Sequence, residues 1–196
     1  MNHSADEKKW EVLKTEYLIR LPYCTIRKDT CKTLRGYVAD YYIWESKDIA
    51  EIVALTPDNK VVMQRQYRHP HKAWVWQLPA GTSEKNETAE EMIRRELAEE
   101  TGYSVEKLIL LDECYSSLAH MTQTQYFFIG LGARETEKKN LDDAEDLTVH
   151  LVNFEELLAW LTKGKVYSLS MKYALLLAKQ YLNDASQRDC LSHRAF

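Results

Sequence analysis

One predicted helix carries more clustered negative charge than a solvent-facing helix requires. Thr88 with Glu91 three residues later is a capping-box pattern, and Gly102 suits the position just after a helix end. These signals predict a helix from about Ala89 to Thr101. When side chains are placed at 100° per residue, one apolar face forms, and this face must pack on a core. It consists of Ala89, Met92, Ile93 and Leu97.

Surface ion pairs explain part of the charge in this helix. Glu90 lies four residues before Arg94, and Glu91 lies four residues before Arg95. With the acid first, this spacing favours ion pairs on an exposed helix face. We therefore predict both pairs at the surface.

Three further glutamates are not explained in this way. Glu96, Glu99 and Glu100 fall beside or within the apolar face, at spacings where they repel each other. Burying unpaired carboxylates is costly, and the arginines of the helix are expected to point mostly elsewhere. A hard divalent cation is a suitable partner, because Mg²⁺ takes oxygen ligands. Salt bridges from other elements would explain the same charges, and spacing alone favours neither.

The composition is that of one globular protein without an electrostatic signal for polyanions. The chain has 196 residues, 45% of them hydrophobic, and a net charge of −4 at pH 7. It can bury one sizeable core, and we expect neither nucleic-acid nor membrane binding. The four cysteines form no CxxC pair, and the polar start MNHSADEKKW lacks the apolar region of a secretory signal. These features predict a cytoplasmic protein with free thiols.

Strand patterns dominate the chain on both sides of the helix. TEYLIRL, CTIRKD and GYVADYYIWES are rich in β-branched and aromatic residues, and IAEIVALT and KVVMQRQY flank the turn signal Pro57-Asp58-Asn59. WVWQLP, KLILLDECY, TQYFFIGL and LTVHLVNF are further strand candidates. Two helices follow, about 154–163, opened by Asn153 and ended by Gly164, and about 168–182.

This element order predicts an α/β fold in which a mixed β-sheet is sandwiched between helices. Residues 1–47 are expected to form a small N-terminal antiparallel sheet used for dimerisation and base binding. Residues 48–183 are expected to form the main domain, and residues 184–196 a polar tail.

The helix and the loop before it match a family motif. The Nudix box reads GX5EX7REUXEEXGU, where U is apolar, and the chain resembles it at every fixed position. Those positions are Gly81, Glu87, Arg95, Glu96, Glu99, Glu100 and Gly102. Tyr103 occupies the last position, where the family usually has an aliphatic residue. The chain is similar to Nudix hydrolases, in which this loop–helix–loop binds divalent cations that hold a diphosphate. The resemblance therefore implies the Nudix fold.

The resemblance also implies roles for the box residues. Glu96, Glu99 and Glu100 would bind Mg²⁺, or alternatively Mn²⁺, and Glu99 and Glu100 would also act in catalysis. Glu87 and Arg95 are similar to the family's supporting pair, which orients the helix and its ligands from behind. Gly81 and Gly102 are expected to let the loops turn tightly, and Gly81 to lie at the substrate.

The stretch QYRHPHKAWVWQLPAG is similar to the one that precedes the box in ADP-ribose and nucleotide-sugar pyrophosphatases. In that branch the carbonyl of the alanine in PAG is a metal ligand, which implies the same role for Ala80. The arginine of QYR contacts substrate phosphates, which implies this role for Arg68. A surface salt bridge is the alternative for Arg68. Gln77 stands where the branch often has Glu.

The segment TIRKDTCKTLRGYVADYYIWE is similar to the N-terminal sheet of the same branch, which packs across the subunits of a dimer and helps to bind the base. This implies a homodimer, with Arg27 contacting phosphate or ribose. Tyr23, Trp10 or Trp44 could stack on a base, although burial in the core is an equally good explanation for each.

Two loop positions complete the candidate site. The segment DDAEDLTVHLVNFEELL resembles an acidic segment of the branch, so Glu145 would bind metal or activate water, with Asp142 and Asp143 as alternates. A solvated acidic loop is the other explanation. The loop at 116–122 lacks the Pro-Gly pair usual in ADP-ribose pyrophosphatases, which leaves other nucleoside diphosphate sugars open. His120 in that loop could act as a base or a phosphate contact, or be ordinary polar surface.

The resemblance thus implies a metal-dependent hydrolase that cleaves the pyrophosphate bond of a nucleoside diphosphate sugar, such as ADP-ribose, into a nucleoside monophosphate and a sugar phosphate. Glu145 or a box glutamate would take the proton from the attacking water. The alternatives are a Nudix hydrolase of dinucleotide polyphosphates or nucleoside triphosphates, and a protein that binds a nucleotide sugar without cleaving it. The intact glutamates argue against a pure binder.

Overall fold

The computed structural model describes residues 8–136, 138–141 and 146–192, with side chains described as far as residue 185. Glu145 and its alternates Asp142 and Asp143 lie outside the described residues. The chain divides into two compact units. The first contains residues 1–47 and 115–124, and the second contains residues 48–114 and 125–196.

The first unit contains an antiparallel sheet of three strands in the order β1-β2-β3. They are β1 Glu11–Leu21, β2 Cys24–Lys32 and β3 Val38–Glu45. The segment 115–124 joins this unit along β3, where Trp44 N donates to His120 O at 2.7 Å and Ser46 N donates to Thr122 Oγ1 at 3.0 Å. The small N-terminal antiparallel sheet expected from the sequence is therefore present.

The second unit contains the remaining described elements, except for the end residues Tyr115 and Thr124 of two of its strands. Its strands are β4 Ile49–Leu55, β5 Lys60–Arg68, β6 Ala73–Gln77, β7 Ala80–Thr82, β8 Tyr103–Ser104, β9 Lys107–Tyr115, β10 Thr124–Leu131, β11 Arg134–Glu135 and β12 Leu147–Asn153. Its helices are α1 Ala89–Thr101, α2 Phe154–Thr162 and α3 Leu169–Ser192, with a single 3₁₀ turn at His69–His71.

The central sheet is mixed, and two of its neighbouring strands, β4 and β5, separate along their length. Its main path is β12-β5-β4-β10-β9, with β10 parallel to β4. Strands β4 and β5 pair at Leu55 and Val61, beside the predicted turn. Farther along, β6 pairs with β5 and β7 pairs with β4. Strands β6 and β7 therefore fill the space between β4 and β5, and the candidate site is built there.

Helices cover both faces of the sheet because its strands alternate apolar side chains between two cores. Ile52 and Val62 pack with Met92, Ile93 and Leu97 of α1. On the other face, Val53, Val61 and Met63 pack with residues of α2 and α3, including Leu157, Met171 and Leu175. This arrangement confirms the predicted mixed sheet sandwiched between helices.

Local signals set the ends of the helices. Helix α1 has the predicted bounds, and α2 begins after Asn153, whose side-chain oxygen accepts from Glu155 N at 2.9 Å. Helix α3 begins close to its predicted start but continues to Ser192, beyond the predicted end near residue 182. Among the described helices, none combines the length and apolar character needed to cross a bilayer.

Candidate active site

The caps of α1 hold the glutamate-rich helix in place. Thr88 Oγ1 accepts from Glu91 N at 3.2 Å, and Glu91 Oε2 accepts from Thr88 N at 2.9 Å, so the predicted capping box is confirmed. At the other end, Gly102 adopts φ 77°, and its N–H donates to Ala98 O at 2.8 Å. A left-handed residue at this position favours glycine.

Arg95 is the centre of an ion-pair cluster on α1. Its Nε and Nη2 donate to the two carboxylate oxygens of Glu87 at 2.8 and 2.9 Å. Its Nη1 lies 3.0 Å from both Glu96 Oε1 and Glu99 Oε2. These hydrogen bonds, those to Glu87 first, raise the pKa of the Arg95 guanidinium, which stays charged. The expectation that the arginines of the helix point away from these glutamates is therefore wrong for Arg95.

The two predicted surface pairs have different outcomes. Arg94 Nη2 lies 3.1 Å from Glu90 Oε1, which confirms the first pair. The second is wrong, because Glu91 is engaged by the cap at Thr88, while Arg95 turns toward Glu87 and the box glutamates. A bidentate, partly buried carboxylate partner outcompetes an exposed one at i, i+4.

Gly81 provides space for Glu96. A Cβ on Gly81 would lie well under 3.0 Å from the carboxyl carbon and Oε1 of Glu96, a separation that real side chains do not show. Gly81 lies within β7 and its φ is not positive. The expected tight turn is therefore not the reason for glycine here. The reason is that the Glu96 side chain lies directly on the backbone.

Glu100 is the most buried of the three box glutamates, with 4% of its surface exposed. Its Oε2 accepts from Gln64 Nε2 at 2.8 Å and from Ala80 N at 3.3 Å. Strand β5 supplies Gln64 and strand β7 supplies Ala80. Helix α1 therefore directs both Glu96 and Glu100 toward β7.

A chain of buried glutamine amides continues from Glu100 to Arg68. Gln77 Nε2 donates to Gln64 Oε1 at 3.0 Å and to Gln66 Oε1 at 2.8 Å. Gln77 Oε1 in turn accepts from Arg68 Nε at 2.9 Å. All three glutamines are buried. The surface salt bridge that was the alternative for Arg68 is not among the ion pairs of the described residues. Arg68 is instead connected to the site through its hydrogen bond to Gln77.

A cavity of about 880 Å³ opens beside these residues. Its lining includes Arg68, Gln77 and Ala80, together with Glu51 and the aromatic side chains of Trp74, Trp76 and Tyr167. Glu51 is 3% exposed, and its burial raises the pKa of its carboxyl to about 7, although a hydrogen bond with Ser170 opposes this shift. The cavity thus combines aromatic walls, an arginine at one side and a buried acid.

The donor chemistry near β7 fits a hard divalent cation. Glu96 and Glu100 supply carboxylate oxygens beside Ala80 and Gly81, and Mg²⁺ binds oxygen ligands of this type. Within the described part of the chain, no three His, Cys, Asp or Glu side chains lie close enough together to hold a metal ion as they stand. Arg95 supplies positive charge to Glu96 and Glu99 in this arrangement.

The other predicted site residues lie in the first unit or outside the described residues. Arg27 is ion-paired with Asp29, at 3.1 Å, and with Glu45. His120 Nδ1 lies 3.3 Å from Tyr42 O, and its ring centroid is 6.1 Å from that of Tyr41. Glu145 lies outside the described residues. The structure thus brings together Arg68, Ala80, Gly81, Glu96, Glu99 and Glu100 in the second unit.

Sequence reasoning missed Glu51, Gln64 and Gln66 as site residues. A signal was present for Glu51, which is the one polar residue of the otherwise apolar strand β4. Gln64 and Gln66 follow Val62 at the two-residue spacing of one strand face, and Val62 packs on α1. A polar pair continuing a core face indicates buried hydrogen bonding.

Comparison with known protein families matches both parts of the chain. The family model described as NUDIX domain matches residues 47–170. The model described as nucleoside diphosphate sugar hydrolase N-terminal domain matches residues 10–44, which include most of the three-stranded sheet.

Individual relatives agree with these matches. The chain is 34% identical to the ADP-ribose pyrophosphatase of Bacillus subtilis (strain 168) over 133 residues, covering 67% of this chain and 69% of the relative. It is 25% identical to the methanol dehydrogenase activator of Bacillus methanolicus over 185 residues, covering 94% and 96%. A crystal structure of an ADP compounds hydrolase superposes with a TM-score of 0.81 at 17% identity, covering 91% of this chain and 96% of that chain. Because the Nudix model spans more than half of the chain and the box residues are assembled around β7, this protein belongs to the Nudix family.

Proposed function

We propose that this protein is a metal-dependent Nudix pyrophosphatase that cleaves the pyrophosphate bond of a nucleoside diphosphate sugar. The observation that carries the proposal is the approach of Glu96 and Glu100 to β7, beside a cavity that Arg68 also lines. The N-terminal match to nucleoside diphosphate sugar hydrolases supports the substrate class. ADP-ribose is the first substrate to test, because an ADP-ribose pyrophosphatase shares 34% identity with the chain.

The ion in this proposal is Mg²⁺, with Mn²⁺ as the alternative. Glu96, Glu99, Glu100, the carbonyl of Ala80 and Glu145 would hold it. When bound, the ion would neutralise the charge of the diphosphate and lower the pKa of the attacking water. Arg95 would orient two of these ligands, because its bidentate pair with Glu87 fixes the guanidinium that faces Glu96 and Glu99.

The protein residues divide the remaining tasks. Arg68 would bind phosphate oxygens, since a guanidinium offers several donors and Gln77 occupies only Nε among the described bonds. Glu145, or one of Glu99 and Glu100, would accept the proton of the water. Water attack on one phosphorus breaks its bond to the bridging oxygen and releases a nucleoside monophosphate and a sugar phosphate. Gly81 would contribute by leaving room for Glu96 against β7, since the Glu96 carboxyl group occupies the space of a Cβ there.

The first unit would complete the binding of the nucleotide in a homodimer. Its β1 exposes several large apolar side chains on a strand that pairs on one side with β2: Val12, Leu13, Tyr17, Leu18, Ile19 and Leu21. Such a surface favours a protein partner. Tyr23 is 97% exposed and is a candidate for stacking on a base, while Arg27 and His120 are candidate phosphate or ribose contacts. We place the protein in the cytoplasm, in keeping with the free thiols of Cys24, Cys31 and Cys114.

The test is a substrate panel measured with Mg²⁺ and with excess chelator. The panel contains ADP-ribose, other nucleoside diphosphate sugars, dinucleotide polyphosphates and nucleoside triphosphates, with products identified by mass spectrometry. Hydrolysis in ¹⁸O-labelled water assigns the attacked phosphorus, because the label stays with the product formed there. Preferred cleavage of triphosphates or dinucleotides would replace the proposed substrate class, and tight binding without turnover would indicate a non-catalytic sensor.

A further inference from the structure

A continuous line of side-chain hydrogen bonds joins the two charged ends of the site. It runs from Arg68 through Gln77 and Gln64 to Glu100, with donor–acceptor distances of 2.9, 3.0 and 2.8 Å. Gln66 is a side branch that accepts from Gln77. Gln64 is fully buried, and within the described residues every buried side-chain nitrogen and oxygen has a hydrogen-bond partner. The glutamine amides and Glu100 are therefore satisfied and shielded from water, which makes the bonds among them costly to lose.

The charges at the two ends set the direction of every amide in the line. A guanidinium can only donate, so Gln77 must present its carbonyl oxygen to Arg68. The two N–H groups of Gln77 then donate to Gln64 and Gln66, and each of these glutamines accepts with its carbonyl oxygen. The amide nitrogen of Gln64 is left facing Glu100, where it requires an acceptor, and a carboxylate is a pure acceptor. Reversing one amide would bring donor against donor or oxygen against oxygen.

We infer that Gln77 is a positioning residue that couples Arg68 to Glu100 through Gln64. The inference rests on the proposed function for the roles of these two end residues. Gln77 contributes one acceptor and two donors, which no other residue of similar shape supplies. It thereby holds the guanidinium at the edge of the cavity and, through Gln64, orients the carboxylate beside β7.

Glutamate at position 77 has nearly the same shape and reverses the network. The carboxylate of a Gln77→Glu variant would still accept from Arg68, more strongly than the amide does. It could not donate to Gln64, so the Gln64 amide would turn its nitrogen toward residue 77. The carbonyl oxygen of Gln64 would then face Glu100, oxygen against oxygen. We expect Gln77→Glu to disturb the metal-binding end although residue 77 is not a metal ligand.

The decisive experiment measures Mn²⁺ binding to the substrate-free protein by titration calorimetry. Gln77→Glu should weaken Mn²⁺ binding about tenfold or more, the range found for residues behind metal ligands. Adding Gln64→Met should restore most of this loss, because the thioether keeps the shape of glutamine and removes the misdirected oxygen. The double variant should thus bind Mn²⁺ more tightly than Gln77→Glu alone. Independent packing damage at the two positions would instead make the double variant the weaker binder.

Substrate kinetics provide the second readout, because Arg68 and Glu100 should respond differently. In Gln77→Glu the guanidinium is held by a full negative charge, so the KM for the best substrate should rise several-fold. Gln64→Met should not reverse that rise, since it leaves the pair of Arg68 with residue 77 intact. Recovery of Mn²⁺ affinity without recovery of KM is expected if the direction of the hydrogen bonds couples Arg68 to Glu100. It is not expected from general destabilisation.

The outcomes are separable from those of the proposed function. A change in Mn²⁺ affinity below twofold in a folded Gln77→Glu variant, or additive losses in the double variant, would overturn the coupling even if nucleotide sugars are cleaved. The coupling would stand if Mn²⁺ binding behaves as expected and another nucleotide is the substrate. A wild-type protein that binds no Mn²⁺ would overturn both. If Gln77→Glu lacks a cooperative thermal transition, the single variant Gln64→Met becomes the test of the coupling. It should bind Mn²⁺ about threefold more weakly than wild type. An unchanged Mn²⁺ affinity would contradict the inference.

Discussion

The backbone of Gly81 in β7 lies against the carboxyl group of Glu96 in α1, with no room for a side chain between them. The contact joins the first residue of the Nudix box to one of its glutamates across the space between strand and helix. It explains why glycine is needed at a strand position with ordinary backbone geometry. The obstruction that a methyl group would meet is the end of a flexible side chain, so Glu96 would move rather than the fold.

Gly81→Ala should therefore reduce activity much more than stability. We expect a loss in kcat/KM of about tenfold or more, with a change in the free energy of unfolding of about 1 kcal/mol or less. Steady-state kinetics and urea denaturation measure the two effects. In a Glu96→Ala background the same substitution should cost almost nothing further, because the side chain that it displaces is gone. Equal losses in both backgrounds would show that the contact with Glu96 is not the cause.

Glu100→Gln should abolish most turnover while the protein stays folded. The amide keeps the shape of the side chain, and its carbonyl oxygen can still accept from Gln64 and Ala80, which both donate to Oε2 of Glu100, but the substitution removes a charge from the proposed metal site. We expect a fall in kcat of at least about 100-fold at saturating Mg²⁺.

Glu91→Gln is the matched control, because Glu91 acts in the cap and glutamine also serves at that capping-box position. Its kcat should stay within about twofold of wild type. Full activity of Glu100→Gln would remove Glu100 from the site. A comparable loss in both variants would instead indicate a general effect on α1.

Arg68→Ala should weaken substrate binding more than it affects folding. Arg68 is exposed, lines the cavity and makes its described side-chain bond to Gln77, so its remaining N–H groups are suited to phosphate oxygens. Charge-assisted hydrogen bonds of this type are worth about 1.5–3 kcal/mol, which corresponds to a rise in KM of roughly tenfold or more.

Arg68→Lys tests the geometry of the same contact. A lysine keeps the charge but lacks the planar fork, so its KM should lie between those of wild type and Arg68→Ala. A KM unchanged in Arg68→Ala would mean that the arginine serves only the amide network.

The sequence predicted the helix, most of the strands and the box, because these features follow from local signals. The bounds of α1 follow from Thr88, Glu91 and Gly102, and the β4–β5 turn follows from Pro57-Asp58-Asn59. The partners of Arg95 could not be predicted in the same way. Several carboxylates lie within its reach along the sequence, and the choice among them depends on where the loop before α1 brings Glu87.

The amide network was unpredictable for a related reason. Gln64 and Gln77 become neighbours because β4 and β5 separate after Val61 and β6 pairs with β5. The spacing of residues along the sequence does not predict that β4 and β5 separate after Val61. Gln77 was noted for standing where related sequences often have Glu, but its meaning requires the pairing with Gln64, Gln66 and Arg68. The two-residue spacing of Gln64 and Gln66 after Val62 marked one strand face, and only the tertiary structure gave the partners of these glutamines.

The buried acid in the cavity should make stability depend on pH in the metal-free protein. Burial raises the pKa of Glu51 from an ordinary value near 4.5 to about 7 in the native state. Between these two values the native protein retains a proton that the unfolded chain has lost, so the free energy of unfolding falls as pH rises. We expect Glu51 to lower the free energy of unfolding by about 3 kcal/mol between pH 4.5 and 7, with no further change at higher pH.

Glu51→Gln isolates this contribution. In chelator-containing buffers, the variant should gain stability relative to wild type as the pH is raised from about 4.5 to 8, by roughly 3 kcal/mol in all. Urea denaturation at several pH values measures the difference. Parallel curves for the two proteins would show that Glu51 titrates alike in the folded and unfolded states.

The three-stranded sheet of the first unit should form a homodimer interface. Strand β1 exposes apolar side chains along nearly its whole length, including Val12 at 56% and Leu21 at 61%, and such a surface in water favours association. Light scattering should give about twice the chain mass of 23.0 kDa. Leu18→Lys would place a charge within this surface and should shift the protein toward the monomer, because burying an unpaired ammonium group is costly.

Leu176→Lys provides the matched control, since Leu176 is an equally exposed leucine on α3 in the second unit. It should leave the dimer intact. Point variants are preferable to removing residues 1–47, because segment 115–124 bonds to β3 within the first unit and would lose its partners. If the dimer completes the nucleotide site, Leu18→Lys should lose nucleotide-sugar cleavage along with dimerisation and keep a cooperative unfolding transition. A wild-type monomer with full activity would remove Arg27 and Tyr23 from any shared site and leave the apolar strand with another role.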